Sequence, residues 1–464
     1  MNKNTLSTSI VELIKKYDKP GPRYTSYPPA TCFNNSFGNT DYIQSVQLSN
    51  QQQPANISFY FHIPFCPQLC HFCGCNTEIM RNKKYIDAYI NALLTELEFV
   101  SGYIDKSRPV SQVHWGGGTP NSIPIKYITR IMEFLSANFK FAPNCEIAME
   151  CNPAYVTFQQ VDELAAMGFN RISMGIQDFE PDVLKLINRK PSLLNINELV
   201  DCIKSKSINV NLDFVFGLPG QTPESFERTI ARAVTLNPER LVTFSYAHVP
   251  WVKQAQKILE QYNIPDAMLK LKMFENAANM LSRSGYDAIG LDHFAKPGDE
   301  LTKALANKQL HRNFMGYCSR ENTGQVYAFG ASAISQLNDC YAQNSKDTMK
   351  YIDAIAQHGT AIEKGYRMTL LDNLGQKVIE SIMCNQFVDF DSVAETFHLT
   401  TGELFDQLKF DFLSIVPFEN DGLVNFDEHT LQILPFGRMF MRNLAMLFDP
   451  LKSEYKTTVY SKII

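Results

Sequence analysis

The sequence has no long apolar run and no excess of basic residues. None of its 464 residues lies in an apolar stretch approaching the roughly 18 residues that a membrane-spanning helix needs. Its 43 Lys and Arg face 48 Asp and Glu, and the formal net charge of −5 gives no electrostatic reason to expect nucleic acid. We therefore expect no membrane span and no nucleic-acid partner.

Internal repeats, low-complexity tracts and a secretory signal are also missing from the sequence. The segment 1–21 spaces its apolar residues like a short amphipathic helix and has no continuous apolar core. The number of cysteines, 11, is odd, which argues against a disulfide framework. We expect a cytoplasmic protein, because free thiols survive in that compartment.

What is present is typical of a folded protein with a large core. Hydrophobic residues make up 45% of the chain and aromatic residues 12%, against 20% charged residues. A chain of this length exceeds the size at which a single core stops growing. The sequence therefore predicts one large domain with additions.

A cluster of cysteines follows a strand-like run that begins at Ile57. Cys66, Cys70 and Cys73 form a C-x3-C-x2-C spacing, and Cys75 comes two residues later. Three thiolates can hold three irons of a [4Fe–4S] cluster and leave the fourth iron open to an external ligand. An open metal position is typical of a reactive site.

A structural zinc site is the alternative interpretation of the same cysteines. His62 or His71 could supply a fourth ligand. Structural zinc sites normally contain a second C-x2-C or H-x3-5-H pair, however, and the sequence has none. Zinc therefore stays open as the less favoured interpretation.

Short β-branched or aromatic runs alternate with longer amphipathic runs between residues 57 and 283. The predicted strands are Ile57–His62, Gln112–Trp115, Glu146–Glu150, Arg171–Met174, Val210–Val215 and Leu241–Tyr246. The predicted helices are Lys84–Tyr103, Pro124–Asn138, Thr157–Met167, Leu194–Ser205, Pro223–Leu236 and Asp266–Arg283. Six successive β-α units predict parallel strands with right-handed crossovers, in an open sheet or in a full or partial barrel.

Chemically active residues stand at the end of each predicted strand. They are the cysteines, the glycines of Gly116–Pro120, Glu150 and Asn152, Gln177 and Asp178, Asp213, and Tyr246 to His248. A barrel brings the carboxyl ends of all its strands round one mouth. The sequence therefore predicts an α/β protein with a partial, TIM-like (β/α)6 barrel.

The flanking regions predict the remaining parts of the chain. The segment GPRYTSYPPATCF, from Gly21, is typical of an extended arm. We predict an N-terminal helix and extended arm at 1–54, the barrel at 55–285, a loop-rich extension that closes the active site at 286–365, and a mainly helical domain at 366–464.

The C-terminal domain is predicted to contain a small hairpin at Leu423–Leu434. Helices with a hairpin could form a winged domain, which often binds DNA. Between Asp389 and Asn443, however, ten Asp and Glu face three Lys and Arg. We therefore expect a lid or packing domain, because phosphate binding needs cations.

Nine sequence motifs occur in order along the chain. They are PRYTSYP at Pro22–Pro28, FHIPFC-x3-C-x-FCGCN at Phe61–Asn76, HWGGGTP at His114–Pro120, MGIQDF at Met174–Phe179, DFVFGLPGQT at Asp213–Thr222, SYAHVP at Ser245–Pro250, GLDHFAKP at Gly290–Pro297, LHRNFMGY at Leu310–Tyr317 and GASAIS at Gly330–Ser335. With these motifs the sequence closely resembles the oxygen-independent coproporphyrinogen III oxidases (coproporphyrinogen dehydrogenases) of the radical S-adenosylmethionine (SAM) superfamily, over nearly the whole chain.

The resemblance implies a barrel of the radical SAM type with a [4Fe–4S] cluster and two SAM molecules. Cys66, Cys70 and Cys73 would ligate the cluster, and one SAM would chelate the open iron. The implied contacts of the first SAM are Tyr60, Gly117, Glu150 and Ile334, and those of the second are Phe72, Gly118, Thr119, Gln177, Arg189, Asp213 and Ala247. Cys75 is left without a task, because a fourth thiolate would block chelation by SAM.

The residue types suit these roles, although each has a simpler explanation. Glycines allow close approach of the main chain, and carboxylates such as Glu150 accept hydrogen bonds from a ribose or an ammonium group. Arg189 can hold a carboxylate with two hydrogen bonds. A tight turn, surface charges and core aromatic side chains would explain the same residues individually.

The resemblance also implies the reaction. An electron entering the cluster would cleave SAM to give a 5′-deoxyadenosyl radical, which would abstract a hydrogen from a propionate of coproporphyrinogen III. Loss of CO2 and an electron would leave a vinyl group, and two such events would give protoporphyrinogen IX in haem biosynthesis. The implied enzyme is an oxidoreductase, a monomer, that receives electrons from a low-potential donor such as flavodoxin or ferredoxin.

The substrate carries four carboxylates, which an acidic protein must meet with a local group of cations. The candidates are Arg23, Lys296, His311 and Arg312, each of which could instead pair within the protein. A haem-delivery protein of the same superfamily is the rival interpretation. Such relatives generally lack the PRYTSYP arm and the FCGCN ending, and both are present here.

Overall fold

The computed structural model describes residues 10–17, 19, 21–319 and 323–452. Residues 1–9, which belong to the predicted N-terminal helix and arm, and 453–464, at the end of the predicted helical domain, lie outside the described part. The helices are α1 Ile10–Tyr17, α2 Asn39–Ser49, α3 Lys83–Ser101, α4 Ile125–Asn138, α5 Phe158–Ala166, α6 Pro181–Leu186, α7 Ile196–Ser205, α8 Pro223–Thr235, α9 Ala267–Arg283, α10 Glu300–Ala306, α11 Thr348–His358, α12 Leu370–Glu380, α13 Phe390–Thr396, α14 Thr401–Leu408, α15 Val416–Asn420 and α16 Met441–Ala445.

The strands form one large sheet and three small ones. They are β1 Ile57–Ile63, β2 Phe65–Cys66, β3 Glu78–Ile79, β4 Val110–Gly117, β5 Phe141–Cys151, β6 Arg171–Gln177, β7 Asn209–Phe216, β8 Arg240–Ser245, β9 Asp287–Ala288, β10 His293–Ala295, β11 Leu310–Asn313, β12 Gly316–Ser319, β13 Gln325–Phe329, β14 Ile334–Gln336, β15 Cys340–Asn344, β16 Ile362–Arg367, β17 Phe387–Asp389, β18 Val424–Phe426 and β19 Thr430–Ile433.

The large sheet has 12 strands in the order β16-β15-β14-β13-β1-β4-β5-β6-β7-β8-β10-β9. The six predicted strands are its parallel centre, β1 and β4 to β8. The sequences of parallel strands are nearly continuous apolar runs, because both faces of the sheet are buried: helices cover the outer face, and side chains of the strands fill the inside of the barrel. In β1 only Tyr60 is not fully buried. The predicted partial (β/α)6 barrel is therefore present.

Local sequence explains where the crossover helices begin. The side chain of Asn82 caps α3, that of Thr157 caps α5 and that of Thr222 caps α8, each by accepting a hydrogen bond from a main-chain N–H of the first turn. Pro223 stands at the first position of α8, where its missing N–H costs nothing. The helix predictions are therefore right to within a few residues at their starts.

The prediction of a loop-rich extension at 286–365 is wrong in its local structure. This segment forms eight strands, β9 to β16, and extends the sheet at both edges. At one edge β13 pairs parallel with β1, and at the other β10 pairs antiparallel with β8. The strands were missed because most are only two to five residues long, which is too short for a clear periodicity.

The predicted N-terminal segment 1–54 does not pack as one unit. The hydroxyl of Tyr17 donates to Asp421 over 2.7 Å, and those of Tyr24 and Tyr27 donate to Asp449 over 2.7 and 2.9 Å. The arm therefore joins the apolar core of the C-terminal helices, whereas α2 packs on the core of the barrel.

The C-terminal domain contains helices α12 to α16 and a three-stranded sheet. The predicted hairpin is present as β18 and β19, and β17 adds a third strand beside β19. None of the helices in the described ranges is long and apolar enough to cross a membrane.

A buried group of charges closes the amino-terminal end of the barrel. Arg171 Nε donates to Glu146 over 2.6 Å, and Arg240 Nε donates to both oxygens of Asp299 over 3.0 Å. All four side chains are at most 13% exposed. Burial would raise the pKa of Glu146, but Arg171 and Arg240 lower it to about 2.

A candidate cofactor and substrate site at the barrel mouth

The predicted cluster ligands lie in the loop after β1, and each sulfur has a different partner. Thr119 Oγ1 donates to Cys66 Sγ over 3.3 Å, and Arg189 Nη1 donates to Cys70 Sγ over 3.4 Å. The Cys73 thiol shares a hydrogen bond with Cys75. Residues that follow β4 and α6 thus reach the cysteine loop.

The thiols differ in acidity. Burial raises the pKa of Cys66 to about 11 and also raises that of Cys70. The hydrogen bond with Cys75 lowers the pKa of Cys73 to about 6. Metal ions bind thiolates, so cluster binding would displace the protons of Cys66 and Cys70.

The zinc interpretation finds no support in the side-chain arrangement. In the described ranges, no group of three or more His, Cys, Asp or Glu side chains is arranged round one ion position. His62 Nε2 instead donates to Asn76 O over 2.9 Å, and His71 Nδ1 lies 3.3 Å from Leu186 O. A [4Fe–4S] cluster distributes its ligands over several irons, so it does not need such convergence.

Close packing requires the glycines at the end of β4, and Gly117 and Gly118 pack against the segment that leads into the cysteine loop. A Cβ at Gly118 would lie 2.7 Å from Pro64 O, and Gly117 has a φ of +116°. The N–H of Gly118 donates to Ile63 O over 2.7 Å. The motif therefore fixes the loop that carries Cys66, in addition to any contact with a cofactor.

Glu150 forms the centre of the predicted first SAM site. His114 Nε2 donates to its Oε1 over 3.2 Å, and the N–H of Gly117 donates to its Oε2 over 3.2 Å. The ring of Tyr60 stacks on that of His114 at 5.9 Å. Desolvation would raise the pKa of Glu150, but His114 and Gly117 lower it below its ordinary value. The carboxylate is therefore ionised and ready to accept a hydrogen bond.

Asp213 forms a second acidic position farther round the mouth. Ser173 Oγ donates to it over 2.7 Å and Asn211 Nδ2 over 2.9 Å. Burial raises the pKa of Asp213 to about 6, against the effect of the Ser173 hydrogen bond, and the charge of Glu150 raises it further. The two carboxylates thus influence each other.

The predicted contacts of the second SAM surround the cysteine loop. Arg189 donates to Gly175 O as well as to Cys70, and Gln177 adopts a φ of +69° beside it. Phe72 packs against an apolar cluster that includes Tyr246, next to Ala247. A left-handed conformation at a non-glycine residue is typical of functional sites.

The donor set fits the two implied cofactors. Three cysteines lie within one loop, and Glu150 is partly exposed at the mouth, where its side chain can reach a polar ligand. Glycines line the main chain between them. Ile334, the remaining predicted contact, begins β14 and is partly exposed.

The predicted substrate residues do not share one location. Arg312 lies beside Tyr317, at 4.9 Å from its ring, near Asp292. Its Nε and Nη1 atoms are buried and have no hydrogen-bond partner within the described part of the chain. Arg23, on the arm, lies close enough to Asp292 and Arg312 for their charges to interact. These two arginines remain candidates.

His311 and Lys296 are placed differently. His311 Nδ1 pairs with Glu380 on α12, so this histidine already has a carboxylate partner. Lys296 Nζ donates to Asn237 O over 2.7 Å and to Glu239 over 3.2 Å. These residues precede β8, at the end opposite to the mouth, which argues against the prediction that Lys296 binds substrate.

Several residues of the mouth were not found by reasoning from the sequence. His114 lies within the HWGGGTP motif, where its alternation with buried Trp115 could have indicated an inward side chain. His293, which pairs with Asp292 at 2.6 Å, lies within GLDHFAKP. Lys270, on α9, belongs to no motif and gave no signal.

Comparisons with known proteins agree with this geometry. The sequence profile of the radical SAM superfamily matches residues 60–233. The chain is 38% identical over 454 residues to the oxygen-independent coproporphyrinogen III oxidase of Escherichia coli (97% of this chain, 98% of that one). It is 37% identical over 456 residues to that of Synechocystis (98% and 97%).

A solved structure resembles the whole chain. Coproporphyrinogen III oxidase from Escherichia coli, described as a radical SAM enzyme, matches with a TM-score of 0.88 and 37% identity, over 96% of this chain and 99% of that one. The predicted fold class and the predicted resemblance are thereby confirmed. The chain belongs to the oxygen-independent coproporphyrinogen III oxidases of the radical SAM superfamily.

Proposed function

We propose that this protein catalyses the oxidative decarboxylation of two propionates of coproporphyrinogen III to vinyl groups, giving protoporphyrinogen IX in haem biosynthesis without oxygen. The observation that carries this proposal is the full-length similarity to enzymes of that name, in a chain whose mouth gathers three cysteines, two carboxylates and an arginine, Arg312, with two unbonded buried nitrogens among the described residues. Membership of the family confirms the predicted [4Fe–4S] cluster and SAM.

The cysteine loop would hold the cluster through Cys66, Cys70 and Cys73. When bound, the cluster and SAM together supply a reductively generated radical that abstracts hydrogen. The surrounding residues orient these groups: Thr119 and Arg189 donate to two of the ligating sulfurs. Such hydrogen bonds stabilise thiolate character and fix the side-chain rotamers.

The carboxylates of the mouth would hold the two SAM molecules. Glu150, oriented by His114 and Gly117, would accept from the first, with Tyr60 and Ile334 nearby. Asp213 would accept from the second. The remaining contacts proposed for the second SAM are Phe72, Gly118, Thr119, Gln177, Arg189 and Ala247. Two SAM molecules per chain remain a prediction.

The four carboxylates of the substrate would meet cations on the arm and on β11. Arg312 supports this role because two of its guanidinium nitrogens are buried and unpaired in the described part of the structure. Arg23 lies close enough for a second substrate carboxylate. His311 would not bind a substrate carboxylate itself, because its ring is already paired with Glu380.

The remaining features of the proposal concern partners and organisation. We propose a monomer in the cytoplasm that receives electrons from flavodoxin or ferredoxin; all 11 cysteines are free, as expected in a reducing compartment. We also propose that the barrel and the segment 286–365 act as one catalytic unit, since their strands share one sheet.

Anaerobic reconstitution tests the proposal. We expect roughly four irons per chain, formation of 5′-deoxyadenosine on reduction, and CO2 release from coproporphyrinogen III. Cys73→Ser should lose all three, whereas Cys75→Ser, the matched control, should keep them. Roughly four irons and no release of CO2 would contradict the proposal and favour the haem-delivery rival.

A further inference from the structure

Lys270 lies at the mouth of the barrel, although no motif contains it. It belongs to the first turn of α9, and its ammonium group donates to the main-chain carbonyl of Tyr246 over 2.8 Å, directly after β8 ends. Its stem crosses the end of β7 at Gly217, where an added Cβ would lie 2.5 Å from Lys270 Cε. The glycine thus leaves the space that the lysine occupies.

The charge of Lys270 is not balanced by a carboxylate. Within the described ranges, its only polar contact is the Tyr246 carbonyl. Desolvation lowers the pKa of Lys270, and the neighbouring charge of Arg23 lowers it further. Two adjacent cations that repel each other are unfavourable in the free protein, and binding of an anion relieves this repulsion.

Three cations therefore share one side of the mouth: Arg23, Lys270 and Arg312. Asp292 is the carboxylate that influences both arginines, but it is already paired with His293 at 2.6 Å. Arg312 keeps two buried nitrogens without partners in the described part of the chain. The local charge is thus positive in a protein whose formal net charge is −5.

Building on the function proposed above, we propose that Lys270 is a substrate-binding residue that holds one propionate carboxylate at the carboxyl end of β8. An ammonium group has three donors, and Tyr246 O uses one of them. Two donors remain for the ligand without movement of the stem. Together, Lys270 and the two arginines would bind different propionates of the coproporphyrinogen macrocycle and thereby orient it.

A binding measurement with a stable ligand tests this role. Coproporphyrin III is the oxidised form of the substrate and has the same four carboxylates. Its dissociation constant from the reconstituted enzyme is measured by porphyrin fluorescence for wild type, Lys270→Gln and Lys272→Gln. Lys272 is an exposed lysine on the same helix and serves as the matched control.

We expect Lys270→Gln to raise the dissociation constant about tenfold, the loss of one charge-assisted hydrogen bond. Lys272→Gln should change it by less than about twofold. The affinity for SAM should be unchanged in both variants. If Lys270 only supported the end of β8, its loss would also weaken SAM binding at the adjacent Ala247.

Two outcomes overturn the role of Lys270: equal coproporphyrin affinity in Lys270→Gln and wild type, or equal losses of coproporphyrin and SAM affinity. The affinity for coproporphyrin III and the release of CO2 are measured in separate experiments. If wild type binds coproporphyrin III but releases no CO2 from the substrate, the proposed function fails. The comparison of Lys270→Gln with Lys272→Gln still decides the carboxylate contact.

Discussion

The two ends of the barrel both bury charged side chains, but they treat them in opposite ways. At the amino-terminal end each buried arginine pairs with a carboxylate, as in the 2.6 Å contact between Arg171 and Glu146, although Arg171 Nη1 and Arg240 Nη2 have no hydrogen-bond partner among the described residues. At the mouth, Arg312 has two nitrogens without partners among the described residues, and Lys270 bonds only a main-chain carbonyl.

The charges at the amino-terminal end therefore serve stability, and those at the mouth serve ligand binding. Charges that pair with opposite charges neutralise one another and hold the fold. Charges left unsatisfied cost folding free energy, and that cost is offset only when a ligand supplies the missing partners. The side of the mouth that carries Arg23, Lys270 and Arg312 is therefore suited to anionic ligands, whereas the opposite end of the barrel closes the sheet.

The largest effect should come from breaking the closed end. Glu146→Gln leaves Arg171 and Arg240 buried without a full counter-charge, and should lower the free energy of unfolding by about 3–5 kcal/mol. The measurement is chemical denaturation of the apoprotein, with Glu198→Gln on the exposed side of α7 as the control. The reconstituted Glu146→Gln variant should still release CO2 at a low temperature at which it stays folded. A variant that lost activity but kept its stability would contradict the structural role of this end of the barrel.

A smaller effect with the opposite pattern should come from the mouth. Arg312→Gln removes a desolvated cation that has Tyr317 beside it but no carboxylate within salt-bridge distance among the described residues, so stability should change by less than about 1 kcal/mol. Substrate affinity should fall about tenfold or more, because a charge-assisted hydrogen bond is lost. The readouts are denaturation and coproporphyrin titration, with exposed Arg283→Gln as the control. A strongly destabilised Arg312→Gln would show that this arginine is structural.

The two ends should also differ in how stability depends on pH. The pKa of Asp213 is raised from 3.8 to about 6, so Asp213 lowers the stability of the folded protein as pH rises through that interval. Glu146 has its pKa lowered to about 2 from 4.5, so its stabilisation is present above pH 4.5 and is lost as pH falls towards 2. The two ends therefore respond to acid with opposite signs.

SAM binding gives a direct readout of Asp213. As pH falls from 7 to 5 the carboxylate becomes protonated, and affinity for the second SAM proposed above should fall a few-fold. Asp213→Asn should bind SAM more weakly and without this dependence on pH. Equilibrium dialysis of the reconstituted enzyme checks this, and a pH dependence that survives in Asp213→Asn would assign the titration to another group.

The motifs predicted which residues the sheet brings together at the barrel mouth, and their roles in binding stay a prediction. The cysteine loop follows β1, and Glu150 and Asp213 lie in the carboxyl-terminal halves of β5 and β7, so the parallel sheet brings them to one mouth. Parallel connectivity makes this reliable, because every such strand ends at the same edge. This argument does not apply to the short strands of 286–365, because several of them run antiparallel to their neighbours.

Lys296 and Lys270 show the limit of the same reasoning. Lys296 lies in a motif next to His293, yet antiparallel β10 carries it to the closed end beside Glu239. Lys270 lies in no motif, yet the first turn of α9 carries it to the mouth. Strand direction and helix packing, not distance along the chain, decide which end a side chain reaches.

The sequence by itself determined the fold class, the family and the loop that would hold the cluster, because these depend on local periodicity and on residues close together in the chain. Only the tertiary structure decided which charges are paired and which stay open. Pairing depends on contacts between residues far apart in sequence, such as Arg240 with Asp299. The open cations of the mouth, Lys270 among them, became visible only once those pairs were known.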